Sequence, residues 1–273
     1  MTDLASSPLG RATVYAQTYD PGLLFAVERA ALRDGLGFAA TLPLRGADLW
    51  TAYELSWLDP LGKPQVAVAT FALPATSPRI VESKSVKLYL AALNQERFAS
   101  ADAVAATLAR DLSAATGAAV DATLVAPGAF AARGREELAG ECLDAVPLRV
   151  DAFAPEPEAL AAGGAIVEKT WMSRLFRSVC PVTGQPDYAS VQVRYRGAAI
   201  DPAGLLRYLV SFRRHPGFHE HCVERIFADV WERCRPESLT VYARFLRRGG
   251  IDINPFRTSG DDPLPENVPS PRQ

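Results

Sequence analysis

Cysteine is scarce in this 273-residue sequence, which has four: Cys142, Cys180, Cys222 and Cys234. Four cysteines spread over a chain this long do not make a disulfide framework. None stands in a Cys-x-x-Cys pair, which argues against a zinc ribbon or a thioredoxin-like site. A dominant charge is lacking as well: a net charge of −2 leaves no footprint for nucleic acid or an anionic membrane, which would favour a strongly basic domain. No apolar run approaches the ~18–20 residues of a membrane span. The start, Met1-Thr2-Asp3-Leu4, leads into neither a basic segment nor a continuous apolar stretch, so no secretory signal is expected. Neither a Gly-x-Gly-x-x-Gly nor a P-loop pattern occurs, so a nucleotide would not be held in a Rossmann or Walker manner. A cytoplasmic, globular protein with reduced thiols is the expectation, and its 48% apolar content suffices for a core.

What is present is written twice. In the first half Thr51, Tyr53, Leu55 and Trp57 alternate on one strand face, and a short Asp-Pro-Leu-Gly turn leads into a strand that opens Lys63-Pro64-Gln65 and runs to Phe71. The second half has a strand around Ala165-Ile166-Val167, then a strand that opens Gln185-Pro186-Asp187 with Ala189, Val191, Val193 and Tyr195 on one face. A helical pattern ending in Tyr-Leu follows each pair, at Tyr89-Leu90 and Tyr208-Leu209. A second helix and a last strand (120–125 and 239–245) complete each half. Ser100 is the expected N-cap of one second helix, with Val104, Leu108 and Leu112 on its stripe. In the other, Val223, Ile226, Phe227, Val230, Trp231 and Cys234 fall at helical spacing. Strand, strand, helix, helix, strand, repeated, is an α+β plan of tandem duplicated modules, each an antiparallel sheet with helices on one face. The expected modules are 13–145 and 146–260, with residues 1–12 and a tail at 261–273 loosely ordered.

The halves differ where the short turn of the first is replaced by the stretch Met172–Asp187, read as a long loop carrying Cys180. With Arg174 and Arg177 upstream and Asp187 downstream, Cys180 reads as a low-pKa nucleophile or as an ordinary semi-buried thiol. Cys234 reads as core and Cys142 as linker. All three histidines lie in His215-Pro216-Gly217-Phe218-His219-Glu220-His221. His219 is four residues before Val223, so its ring faces the core stripe and suits a partly buried acid or base, while His221 points to solvent. His219 and Cys222 share a face that zinc could use, but no further ligands stand at metal spacing, so no metal is expected. In the first half Glu82 precedes Ser83-Lys84-Ser85-Val86-Lys87 at a helix start, where free amides, hydroxyls and two lysines form either an anion site or a capped, solvated turn.

Three segments, Glu82–Tyr89, Ser178–Asp187 and Phe218-His219-Glu220, with Arg247–Pro255 as a fourth, together resemble the NADPH-dependent 7-cyano-7-deazaguanine reductases of queuosine biosynthesis, in their longer two-module form. The resemblance spans about residues 10–260. It departs at Val86, Tyr188 and Phe256, where Phe, Trp and Trp would be expected. It implies tandem tunnelling-fold modules. It implies Cys180 as nucleophile, Asp187 as proton donor and His219 as a further proton carrier. It also implies a deazapurine held by Val81, Glu82, Ser83, Phe218, His219 and Glu220, and NADPH held by Ser83, Lys84, Arg248 and Gly249. Neither half contains the whole set. The implied partners are the small-molecule substrate and a second copy in a homodimer, with no direct nucleic-acid or membrane contact. A same-fold amidino-forming enzyme that uses ammonia without NADPH, a zinc-dependent pterin or GTP-ring enzyme, and a non-catalytic purine-binding module are the rival readings.

Overall fold

A computed structural model of the chain describes residues 16, 18–34 and 42–273. The segment 1–12 and the first three residues of the expected first module lie outside the described residues. Two compact units divide the chain. One comprises Met1–Gly35, Asp48–Gly134 and Arg247–Ile253, the other Leu36–Ala47, Arg135–Leu246 and Asn254–Gln273.

In the first unit a short strand β1 (Ala26–Glu28) leads into α1 (Arg29–Asp34). The long strands β2 (Arg45–Leu58) and β3 (Pro64–Pro74) lie side by side, β4 (Arg79–Val81) pairs antiparallel with β1, and β5 (Ala122–Val125) pairs antiparallel with β3. Between β4 and β5 run α2 (Ser83–Ala92) and α3 (Ala101–Thr116). Ser100 caps α3 by accepting from the Ala103 amide at 3.2 Å. Val104, Leu108 and Leu112 are buried in one cluster with Trp50, Leu55, Phe71 and Tyr89. Each such side chain contributes roughly 1.5–3 kcal/mol by leaving water.

In the second unit, too, two long strands are followed by two helices and a further strand. After a two-residue β6 (Glu141–Cys142) come β7 (Ala162–Val179), β8 (Pro186–Ile200), α4 (Pro202–Ser211), α5 (His219–Cys234), β9 (Ser238–Phe245) and β10 (Ile251–Thr258), whose first three residues are counted with the first unit. Here β7, β8, β9 and β10 pair antiparallel in sequence, and β6 joins β7 parallel. The stripe Val223, Ile226, Phe227, Val230 and Cys234 of α5 is buried against Val191, Val193, Val241 and Phe245 of the sheet, with Trp231 partly buried beside it.

One local device recurs. In the first unit the Tyr89 hydroxyl donates to Asp111 at 2.6 Å and Arg110 flanks that carboxylate; in the second the Tyr208 hydroxyl donates to Asp229 at 2.6 Å and Arg225 flanks it. Burial first, then the neighbouring carboxylate, raises both phenols, so each stays a neutral donor.

The structure changes four readings of the sequence. The stretch from Met172 is not a long loop: Met172–Val179 is the second half of β7, and only 180–185 connects the strands. A register shift between Ser173 and Phe176 breaks the alternation that would have marked it. The segment Ile251–Thr258, not foreseen as a strand, is β10. Arg247–Ile253 belongs to the first unit, where the Tyr53 amide donates to the Gly250 carbonyl at 2.8 Å and the Arg247 guanidinium lies 4.7 Å from the centroid of the Tyr53 ring. The stretch from Asp261 has no helix or strand, yet Asp262 accepts from Thr240 and Thr258 at 2.9 and 2.6 Å, and Gln273 donates to the Phe245 carbonyl at 2.8 Å. Polar tail residues thus find partners on the sheet.

Candidate active site

The β7–β8 register pairs Ser178 with Asp187 and Phe176 with Ala189. Side chains two apart share a strand face, so Phe176 and Ser178 face the same way, as do Asp187 and Ala189. Cys180 directly follows β7 and is 8% exposed; its amide donates to the Gln185 carbonyl at 2.8 Å and its carbonyl accepts from Gly184 at 3.0 Å, which closes the six-residue connection 180–185. Beside it the chain returns: the Val179 amide donates to His215 at 3.0 Å and Gly217 donates to the Val179 carbonyl at 3.0 Å. This bridge carries the start of α5 to the same end of the sheet.

His219 is the first residue of α5. Its Nε2 lies 3.3 Å from Asp187 Oδ1, with the two side chains 14% and 4% exposed. Its other ring nitrogen, Nδ1, is buried and meets no hydrogen-bond partner among the described residues. One face of the ring is stacked on Phe245, centroids 3.8 Å apart and planes 4° from parallel. Glu220, also in the first turn, is 4% exposed, and Phe218 is the N-cap residue, half-buried. Burial pushes the Cys222 thiol up to about 12, with the Asp187 and Glu220 carboxylates adding to the shift and the Ser178 hydroxyl opposing it. Cys222 is therefore a protonated thiol packed under the cluster. Cys180, Asp187, His219, Glu220 and Phe218 thus all belong to one end of the second unit.

Arg174 and Arg177 do not take part. Arg174 donates to Glu137 and Asp144, and Arg177 to the Arg213 carbonyl while lying 5.9 Å from the centroid of the Tyr188 ring. The odd-numbered Arg177 leaves the strand on the face opposite Ser178. His221, expected in solvent, is partly buried and stacks on His215 with centroids 5.9 Å apart. Burial, then the His221 and Arg225 charges, lowers His215 from 6.5 to about 4. The unfolded chain therefore takes up this proton first. The contribution of neutral His215 is complete above about pH 6.5 and is lost as the pH falls toward 4. Melting temperatures of the wild type should fall across that window, and His215→Phe should flatten the fall; equal slopes would contradict the assignment.

In the first unit Glu82 caps its own helix. Its carboxylate accepts from the Lys84 and Ser85 amides at 2.6 and 2.9 Å. The amides expected to be free for an anion are therefore taken, because a buried carboxylate at a helix start finds them first. Burial raises Glu82 while those same hydrogen bonds, with the Ser83 hydroxyl and Lys87, hold it down. Val81 precedes it, buried, in β4. Ser83, Lys84 and Lys87 remain partly exposed along α2.

Arg248 and Gly249 reach the same helix. Gly249 and Gly250 have φ of +56° and +77°, and Arg248 and Ile251 exchange hydrogen bonds at 2.9 and 3.3 Å, a two-residue turn that demands left-handed backbone. A Cβ on Gly249 would meet Lys87 Nζ at 3.2 Å. A cation thus lies against bare backbone that any larger residue would cover, an arrangement that fits a polyanionic cofactor such as NADPH on Ser83, Lys84, Arg248 and Gly249. A cavity of about 370 Å³ elsewhere in the second unit, lined by Arg194, Arg196, Thr240 and Asp262 among others, includes none of these residues. Among the described residues no group of three or more His, Cys, Asp or Glu is placed to hold a metal ion, and no helix is long and apolar enough to cross a membrane.

The stack of Phe245 on His219 was not foreseen from the sequence. Phe245 continues the plain apolar alternation of β9, and nothing in that alternation marks its contact with His219.

A family model described as nitrile reductase, 7-cyano-7-deazaguanine-reductase N-term, matches residues 15–124, and one described as QueF-like protein matches residues 186–263. The NADPH-dependent 7-cyano-7-deazaguanine reductase of Burkholderia ambifaria is 57% identical over 269 residues, covering 98% of both chains. Proteins of the same name from Burkholderia vietnamiensis and Burkholderia multivorans are 57% and 56% identical over 269 residues with the same coverage. Full-length identity of this order, together with both family models, places the chain in the family of NADPH-dependent 7-cyano-7-deazaguanine reductases.

Proposed function

We propose that this chain reduces the nitrile of 7-cyano-7-deazaguanine to a primary amine, giving 7-aminomethyl-7-deazaguanine for queuosine synthesis, with Cys180 as covalent nucleophile. The observation that carries the mechanism is the Asp187–His219 contact at 3.3 Å, at the end of the β7–β8 pair where the connection bearing Cys180 begins.

A nitrile accepts hydride poorly. Addition of the Cys180 sulfur to its carbon forms an S–C bond and delivers the electron pair to nitrogen, which takes a proton from Asp187; the product is a thioimide, an activated C=N. NADPH supplies hydride, and two equivalents with two protons complete the conversion of nitrile to amine. Between these reductions the S–C bond breaks, returning Cys180 as thiolate. His219, in contact with Asp187 and with Nδ1 free of hydrogen-bond partners among the described residues, carries protons for the later steps. In the second unit Glu220 accepts from the guanine-like N–H edge and Phe218 stacks on the base; in the first, Val81, Glu82 and Ser83 are the base-binding residues that the family resemblance assigns, and acceptors matched to that edge favour bases that carry its donors. Ser83, Lys84, Arg248 and Gly249 hold the cofactor, the cations selecting its 2′-phosphate.

Two structural readings accompany the mechanism. The recurrence of strand order and of the Tyr–Asp–Arg device (Tyr89, Asp111, Arg110; Tyr208, Asp229, Arg225) supports two copies of one tunnelling-fold module. The proposed setting is a cytoplasmic homodimer.

The test is an assay with purified protein, 7-cyano-7-deazaguanine and NADPH. Two NADPH should be oxidised for each aminomethyl product, and ammonia should make no difference. An amidine formed with ammonia, or no NADPH oxidation, would contradict the proposal.

A further inference from the structure

We propose that Phe245 is a positioning residue that fixes the plane of the His219 ring, and that Asn254 and Gln273 fix Phe245 through its backbone. The inference rests on the reading of His219 as a proton carrier.

The second torsion of a histidine is broad, so a hydrogen bond at one nitrogen leaves the ring plane free to swing. Asp187 restrains Nε2 at 3.3 Å. The plane is restrained by something else. Phe245 covers one face of the imidazole at a centroid distance of 3.8 Å and within 4° of parallel, so a swing of the ring would drive it into the phenyl group. Together the two contacts leave Nδ1, which meets no hydrogen-bond partner among the described residues, aimed in one direction.

A stacking partner can fix a ring only if it is itself fixed. Phe245 is fully buried and takes Phe176 edge-on, centroids 5.9 Å apart at 86°. Both its backbone polar groups are tied. The amide donates to Asn254 Oδ1 at 3.1 Å, and the carbonyl accepts from Gln273 Nε2 at 2.8 Å. Gln273 Nε2 also donates to Asn254 Oδ1 at 2.9 Å, and Asn254 Nδ2 donates to Asn267 at 2.9 Å, which closes a polar network on the strand position that bears the phenyl ring. An ordinary core phenylalanine would need the packing alone; a network of side-chain amides gathered on its backbone makes sense if a displacement there is costly to the chemistry.

The experiment compares Phe245→Leu, Phe245→Tyr and Gln273→Ala in the full chain, with kcat, KM for the nitrile and the melting temperature of each. Phe245→Leu should lose about 10–100-fold in kcat with KM nearly unchanged, because a misplacement of about 1 Å can cost about 10²-fold. Phe245→Tyr, which keeps the flat ring, should recover most of that loss. Gln273→Ala should lower kcat in the same direction by less. A wild-type kcat in Phe245→Leu would overturn the inference, as would equal losses in the leucine and tyrosine variants when both melt normally. If Phe245→Leu is unfolded at the assay temperature, Gln273→Ala decides: a lower kcat at constant KM supports the inference, and a wild-type kcat overturns it. Absence of NADPH oxidation by the wild type would instead defeat the parent reading.

Discussion

Replacing Cys180 by alanine should abolish nitrile-dependent NADPH oxidation, a fall of at least ~10³-fold, while the protein still folds and binds the deazapurine. The size follows from the role. Without the sulfur no thioimide forms, and the remaining groups face a nitrile that hydride does not attack. The cost in stability is small by comparison, about 1 kcal/mol for the loss of one buried sulfur at the end of a strand. Cys222→Ala provides the contrast. That thiol is fully buried and pushed up to about 12, so it is no nucleophile at neutral pH. A Cys180→Ala protein with full turnover would remove the covalent mechanism.

Asp187→Asn should slow turnover by about 10²–10⁴-fold, the range of a general acid. The substitution keeps the shape of a side chain that is 4% exposed and keeps a hydrogen-bonding partner for His219, but removes the proton that the developing nitrogen anion needs. Formation of the covalent adduct should slow, and substrate binding should change much less. An unchanged rate would take Asp187 out of this role and leave His219, 3.3 Å away, as the donor.

The parts of the fold legible in the sequence are those set by local rules. Ser100 before an apolar stripe gave α3, and the spacing of Val223, Ile226, Phe227 and Val230 gave α5, since capping and helical periodicity act within a turn or two. Longer-range features were hidden. Met172–Val179 read as a loop because a bulge inside β7 breaks its alternation. The strand β10 was masked by Gly249-Gly250 before it and by Asn254-Pro255 within it, residues that ordinarily interrupt strands. That Arg247–Ile253 joins the first unit depends on Tyr53 and Lys87, well over a hundred residues upstream, a distance no periodicity spans. The candidate site divides along the same line. Its residue types and motifs could be read directly, but the capping of α2 by Glu82, the diversion of Arg174 and Arg177 from Cys180, and the stack of His219 on Phe245 are products of tertiary structure.

The central claim is that the nitrile becomes covalently attached to Cys180 before any reduction. Intact-protein mass spectrometry of the wild type incubated with 7-cyano-7-deazaguanine and no NADPH tests it most directly. The account predicts a gain equal to the mass of the substrate, one adduct per chain, located on Cys180 by peptide mapping and absent from Cys180→Ala. An unmodified wild-type mass under conditions where the same preparation turns over with NADPH would contradict it.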